Sequence, residues 1–128
     1  MNSIKKINER KWETHFATLE LDDNNIIHVK GKEGVDVTKK DFELLSNWFE
    51  KLNLEKQIIF ADRSQSYSHT FEAQKFIMRE GITALAMYVT TPVSEELALL
   101  SKDVYLKNFP VKVFTDKKEA LNWLKTFL

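Results

Sequence analysis

Two short, uninterrupted apolar runs constrain this chain more than any other feature. Ile58-Ile59-Phe60-Ala61 and Ala84 to Val89 are each bounded by polar residues and by longer segments with helical spacing. A half-solvated strand alternates apolar and polar side chains, whereas a short continuous apolar run marks a strand covered on both faces. Such strands, separated by helices, read as parallel neighbours joined by right-handed crossovers. The longer run, Ala84 to Val89, is six residues, far short of the roughly 20 that a membrane-spanning helix needs.

The rest of the chain can be placed around these two strands. Residues 13–21 carry Ala17, Leu19 and Leu21 on one side and Phe16, Thr18 and Glu20 on the other, which is strand spacing. Asp22-Asp23-Asn24 supplies a turn. A three-residue loop with Asn24 left-handed would set Leu19 opposite Ile27, Ala17 opposite Val29 and His28 opposite Thr18. Thr38 and Asp41 form a capping-box pattern, and Phe42, Leu45, Phe49 and Leu52 then recur at helical spacing. A shorter helix is predicted over 70–79, burying Ala73, Phe76 and Ile77 and ending at Gly81.

Thr91-Pro92 opens a third helix running to about residue 107, with a cap residue followed by proline at the first helical position. After Pro110 come a short strand over 111–114 and a last helix, capped by Thr115-Asp116, that carries Ala120, Leu121, Leu124 and Leu128. The order is ββαβαβα. It predicts an α/β fold with a mixed sheet of four to five strands, an N-terminal antiparallel hairpin and helical crossovers. No repeat or linker divides residues 1–128, so the expectation is one domain, with 1–12 as an N-terminal extension.

Composition removes several kinds of chemistry. Lys+Arg and Asp+Glu are 19 each and the pI is about 6.8, which argues against a protein built to neutralise nucleic-acid phosphates. There is no cysteine, hence no disulfide, thiolate nucleophile or thiolate metal site. Gly31, Gly34 and Gly81 are the only glycines, which excludes the GxGxxG and Walker-type phosphate loops. His15, His28 and His69 lack metal-ligand spacing, so neither a metal nor another cofactor is expected. A triad of Ser68, His69 and Asp62 lacks the Gly-x-Ser-x-Gly elbow, and Asp22-Asp23 and Glu95-Glu96 fit a turn and a helix first turn. No catalytic residue is assigned. Met1 to Trp12 is basic with no apolar stretch behind it, so a soluble, cytoplasmic protein is expected. Trp12, Trp48 and Trp123 read as core or rim anchors, since no basic stripe accompanies them.

What polarity remains gathers where the parallel strands end, the edge at which open α/β sheets bind ligands. Asp62-Arg63-Ser64 with the loop to Thr70, Thr90-Thr91 with Ser94, and Thr115-Asp116 all arrive there. Free helix amides and hydroxyls favour an anion; Asp62 and Asp116 oppose one unless offset by Arg63, Lys112 or Lys117. Capping and turn filling account for the same residues without any ligand. Ser64, Ser66, Ser68 and Thr70 make the loop rich in hydroxyls, and a phosphate added to one of them would be tolerated at a helix amino end.

The helix over 92–107 is the other informative element. Val93, Leu97, Leu100 and Val104 form a stripe expected to face the core, while Ala98, Leu99, Tyr105 and Leu106 carry apolar surface further round the cylinder. A self-association surface, a protein partner, or a lipid-like ligand lined by Tyr105 and Phe109 would use the excess, as would deep burial of the helix.

The element order, the strand ending Ile58-Ile59-Phe60-Ala61-Asp62, the run Ala84-Leu85-Ala86-Met87-Tyr88-Val89, and the closing Val111-Lys112-Val113-Phe114-Thr115-Asp116 with Glu119-Ala120-Leu121-Asn122-Trp123-Leu124 resemble small bacterial SpoIIAA-like proteins. These share the STAS fold of sulphate transporters and anti-sigma-factor antagonists and are also compared with the CRAL-TRIO lipid-binding domain. The resemblance spans about residues 13–127 and implies a non-enzymatic regulatory or protein-binding module. In the antagonists a serine or threonine after a strand-terminal aspartate is phosphorylated by a partner kinase. Asp62 matches that aspartate and Ser64 is the nearest acceptor, with Arg63 between them and no glycine following. The alternative is a small-molecule or lipid-binding domain with a pocket between the 92–107 helix and the sheet.

Overall fold

The structure is a computed structural model that describes residues 4–64, 68–69, 81–105 and 109–128, with backbone alone at 68–69 and 101–105. Nine strands and three helices occur among them. The strands are β1 (Lys5–Asn8), β2 (Lys11–Glu13), β3 (Ala17–Leu21), β4 (Ile27–Gly31), β5 (Asp36–Val37), β6 (Ile58–Asp62), β7 (Ser68–His69), β8 (Ala84–Tyr88) and β9 (Val111–Phe114). The helices are α1 (Lys39–Leu52), α2 (Pro92–Tyr105) and α3 (Lys117–Lys125). The helix predicted over 70–79 lies outside the described residues.

The two apolar runs become β6 and β8, paired in parallel at the inner part of a seven-stranded sheet ordered β1-β2-β3-β4-β6-β8-β9. Their side chains alternate between two cores. Ile59, Leu85 and Met87 join a cluster with Leu19 and Ile27 of the hairpin, Leu45, Trp48 and Phe49 of α1, and Ala98 of α2. Ile58, Phe60, Ala84 and Ala86 join the other, with Phe114 and with Ala120 and Leu124 of α3. Both faces of these strands are therefore covered, which is why neither run contains a polar residue. Ala84, Ala86 and Ala120 are fully buried, and their small side chains let α3 lie close against the sheet.

The sheet has seven strands, not the four to five expected. Residues read as an extension supply β1 and begin β2, and the strand predicted over 13–21 is broken into β2 and β3. Thr14 causes the break. Its Oγ1 accepts the amides of Phe16 at 3.1 Å and Ala17 at 2.8 Å and donates to the Ala17 carbonyl at 3.0 Å, reversing the chain with a side-chain turn. β1 shows no apolar alternation because it is an exposed edge strand, and its lysines discourage pairing with another chain. β5 and β7 pair separately in parallel, joining a segment read as loop to the serine-rich loop.

The β3–β4 hairpin differs in register. Leu19 faces Val29, Ala17 faces Gly31 and Glu20 faces His28, two residues from the expected pairing. The loop is longer, residues 22–26, and Asn25 rather than Asn24 is left-handed, with φ 60°. Asp22 organises it. One carboxylate oxygen accepts the amides of Asn24 at 2.8 Å and Ile26 at 3.0 Å, and the other lies 2.9 Å from His28 Nε2. Ile26 is thereby drawn into the core with no exposure. Because strand side chains repeat every two residues, a slip of two keeps each on its face, and the apolar side of the hairpin survives.

The capping box at α1 forms as the sequence predicts. Asp41 Oδ2 accepts the Thr38 amide at 2.9 Å and its hydroxyl at 3.1 Å, while Thr38 Oγ1 takes the Asp41 amide at 3.4 Å. Asn53, left-handed with φ 51°, closes the helix.

The alanine contacts under α3 generate a stability prediction. Ala86→Leu is expected to overpack that core and destabilise the fold by about 1–3 kcal/mol, read as a lower urea midpoint. An unchanged midpoint would show that α3 does not rest closely on β8.

Candidate functional site

At the carboxyl edge each strand ends on a polar residue or is followed by one, and the backbone ladder continues past the strands. The Arg63 amide donates to the Tyr88 carbonyl at 2.8 Å, and the Val89 amide to the Phe114 carbonyl at 3.0 Å. This holds the starts of the three connections in register. Asp62 is buried at 8% exposure, and its Oδ1 accepts the Ser64 amide at 2.9 Å, forming an Asx-type turn at the end of β6. Between them, Arg63 places Nη1 3.5 Å from Met87 Sδ. Asp62, Arg63 and Ser64 thus form one compact turn.

Two other polar positions are committed to helix starts. Thr91 Oγ1 accepts the Ser94 amide at 3.1 Å and lies 2.8 Å from Ser94 Oγ, at the beginning of α2. Asp116 Oδ1 accepts the Glu119 amide at 3.1 Å as the N-cap of α3. For these residues capping is the observed role.

Thr90, Thr91 and Thr115 do come together, as walls of an open groove of about 580 Å³ beside the first turns of α2. Pro92, Val93 and Leu99 add apolar wall, and Glu95 and Glu96 are the charged residues lining it. The groove is acidic, which disfavours the anion that helix amides alone would attract. The sequence reading treated Glu95-Glu96 as an exposed first turn; only the fold brings them opposite Thr115. The Asp62 turn is not part of this groove.

The helix stripe is corrected by the structure. Val93, Leu97 and Leu100, expected to face the core, are 67%, 55% and 67% exposed, and Leu99 is 44% exposed. Among the described side chains of α2 the inward one is Ala98, fully buried, whose methyl allows a close approach to the sheet. Phe109, proposed as a pocket wall, is 5% exposed and belongs to the core cluster with Val111. Ser66 and Thr70, and the side chains of Ser68 and Tyr105, lie outside the described residues.

Among the described residues no group of three or more His, Asp or Glu is placed to hold a metal ion, and no helix is long and apolar enough to cross a membrane. Thr91→Ala is expected to cost about 1 kcal/mol through loss of the α2 cap, whereas Thr90→Ala should fall within about 0.5 kcal/mol of wild type. Chemical denaturation of both variants measures the difference, and equal effects would remove Thr91 as the cap.

A family model described as a domain of unknown function, DUF7793, matches residues 19–128. The structure also resembles the crystal structure of an uncharacterised protein of the DUF3478 family, with a SpoIIAA-like fold, from Shewanella loihica PV-4. The TM-score is 0.61 at 15% identity, covering 97% of this chain and 95% of that one. The likeness is one of fold, and the fold is SpoIIAA-like. A comparison with curated proteins finds no match.

Proposed function

The chain belongs to the DUF7793 family, and from that premise we propose that it is a non-enzymatic, STAS-type regulatory module that binds a protein partner through α2. The observation that carries this reading is the outward stripe of Val93, Leu97 and Leu100, flanked by Leu99, with exposures from 44% to 67%. Apolar side chains clustered on one helix and rimmed by polar groups are the ordinary signature of a recognition surface. Val93 and Leu99 share the walls of the groove with Thr90, Thr91, Thr115, Glu95 and Glu96, which give that side of the surface an acidic rim. An acidic rim around an apolar centre favours a partner surface carrying Lys or Arg around its own apolar anchor.

The Asp62 turn supports regulation of the same edge. The Ser64 amide is tied to Asp62 Oδ1, so a phosphate on the Ser64 hydroxyl would add about two negative charges beside a buried carboxylate. Repulsion would open the turn and alter the connection leaving β6. This corresponds to the aspartate-then-hydroxyl arrangement of the anti-sigma-factor antagonists, with Arg63 between the two.

Affinity purification from the native cell, comparing wild type with the Leu97→Glu/Leu100→Glu variant, tests the surface. One protein is expected to be retained stoichiometrically by wild type and reduced at least about tenfold in the variant, since two buried apolar anchors are each worth about 1.5 kcal/mol or more. Equal retention would sink the α2 reading. Light scattering of wild type and Leu99→Glu covers self-association: a dimer that dissociates in the variant would make the partner a second copy of the chain. For regulation, mass spectrometry of the native protein is expected to find phosphate on Ser64, and Ser64→Asp should weaken partner retention while Ser64→Ala preserves it.

A further inference from the structure

At the opposite edge of the sheet from α2, the β1–β2 hairpin and α1 enclose a groove of about 500 Å³, a volume within the roughly 300–1,000 Å³ of small-molecule sites. One wall comes from the hairpin, with Ile4 and Trp12, and the other from one face of α1, with Leu44, Trp48 and Leu52. The Trp12 and Trp48 rings meet edge to face, with centroids 5.2 Å apart at 71°, and form a broad aromatic bed. Among the described residues lining the groove, the charged ones are both lysines, Lys6 on β1 and Lys51 on α1.

Its charged rim marks this as more than an apolar crease. Lys6 approaches Glu9 Oε2 at 3.3 Å, but both side chains are well exposed, and such surface pairs are readily exchanged. Apolar walls with cationic residues on both sides complement an apolar body bearing one negative charge. They do not complement a cation, and a neutral body would gain nothing from the lysines.

We infer that this groove binds a small amphipathic carboxylate, with its acyl or aromatic body along Trp12, Leu44, Trp48 and Leu52 and its carboxylate at the Lys6 and Lys51 rim. The site is independent of the partner reading, because it lies at the β1–β2 edge whereas α2 packs near β9.

The three tryptophans provide a built-in test. Trp123 sits with Phe114 and Phe127 against the other core, so its indole signal reports folding without reporting the groove. In 1H–15N spectra of the full chain, decanoate added below its micelle concentration is expected to shift the Trp12 and Trp48 indole signals saturably and leave Trp123 unmoved. Decanol should bind about tenfold more weakly, as should decanoate to Lys6→Gln/Lys51→Gln, in keeping with two exposed ionic contacts. If the Trp123 signal shows that the double variant is unfolded, Lys51→Gln alone is expected to weaken binding about threefold. No shift at Trp12 and Trp48, shifts of all three indoles together, equal binding of decanol, or lysine variants that bind like wild type would each overturn the inference.

Discussion

The burial of β6 and β8 on both faces is the constraint from which the remaining structure follows. Ile58, Phe60, Ala84 and Ala86 point one way and Ile59, Leu85 and Met87 the other, so neither strand can be stable unless elements cover both sides. At about 25 cal/mol per Å² of apolar surface removed from water, covering one face only would leave half of this driving force unused. α1 and α2 meet the demand on one side and α3 on the other. β4, β6, β8 and β9 pair in parallel, with α1 between β4 and β6 and α2 between β8 and β9.

The same arrangement explains the distribution of polarity. Parallel strands place all their carboxyl ends at one edge, so Asp62, Thr90, Thr91, Thr115 and Asp116 meet there by topology. Much of that polarity serves local structure: Asp62 closes a turn, and Thr91 and Asp116 cap helices. What remains distinctive is α2. Among its described side chains the buried one is the small Ala98, while Val93, Leu97, Leu99 and Leu100 are exposed, the reverse of an ordinary amphipathic helix packed for stability alone.

The antiparallel half of the sheet answers a different problem. Beyond β4, the alternation of β3 requires only one covered face, and α1 supplies the cover with Leu45, Trp48 and Phe49. β1 and β2 extend the sheet beyond β3, and Trp12 of β2 packs against Trp48 of α1. The lysine-bearing groove lies where these strands and α1 meet. α2 and the groove therefore flank opposite edges of one sheet.

How much was legible in the sequence depends on the range of the forces concerned. The period-3.6 pattern of α1, the Thr38–Asp41 capping box, the Asp116 cap and the apolar runs of β6 and β8 are decided by neighbours within a few residues, and they appear where the sequence places them. The α/β order and the SpoIIAA-like likeness follow from those. The register of β3 and β4 did not, because it depends on Asp22 gathering two amides and His28 into a longer loop. The β2–β3 break did not either, because Thr14 acts through three hydrogen bonds rather than through hydropathy. The outward face of α2 was misread since Leu97 and Leu100 look like core residues until Ala98 is seen to be the one that fits against the sheet. The sequence by itself therefore determined which segments become strands and helices and which edge collects the polar residues. Only the tertiary structure decided strand number, register, the direction α2 faces and the two grooves, because each rests on contacts between residues far apart in the chain.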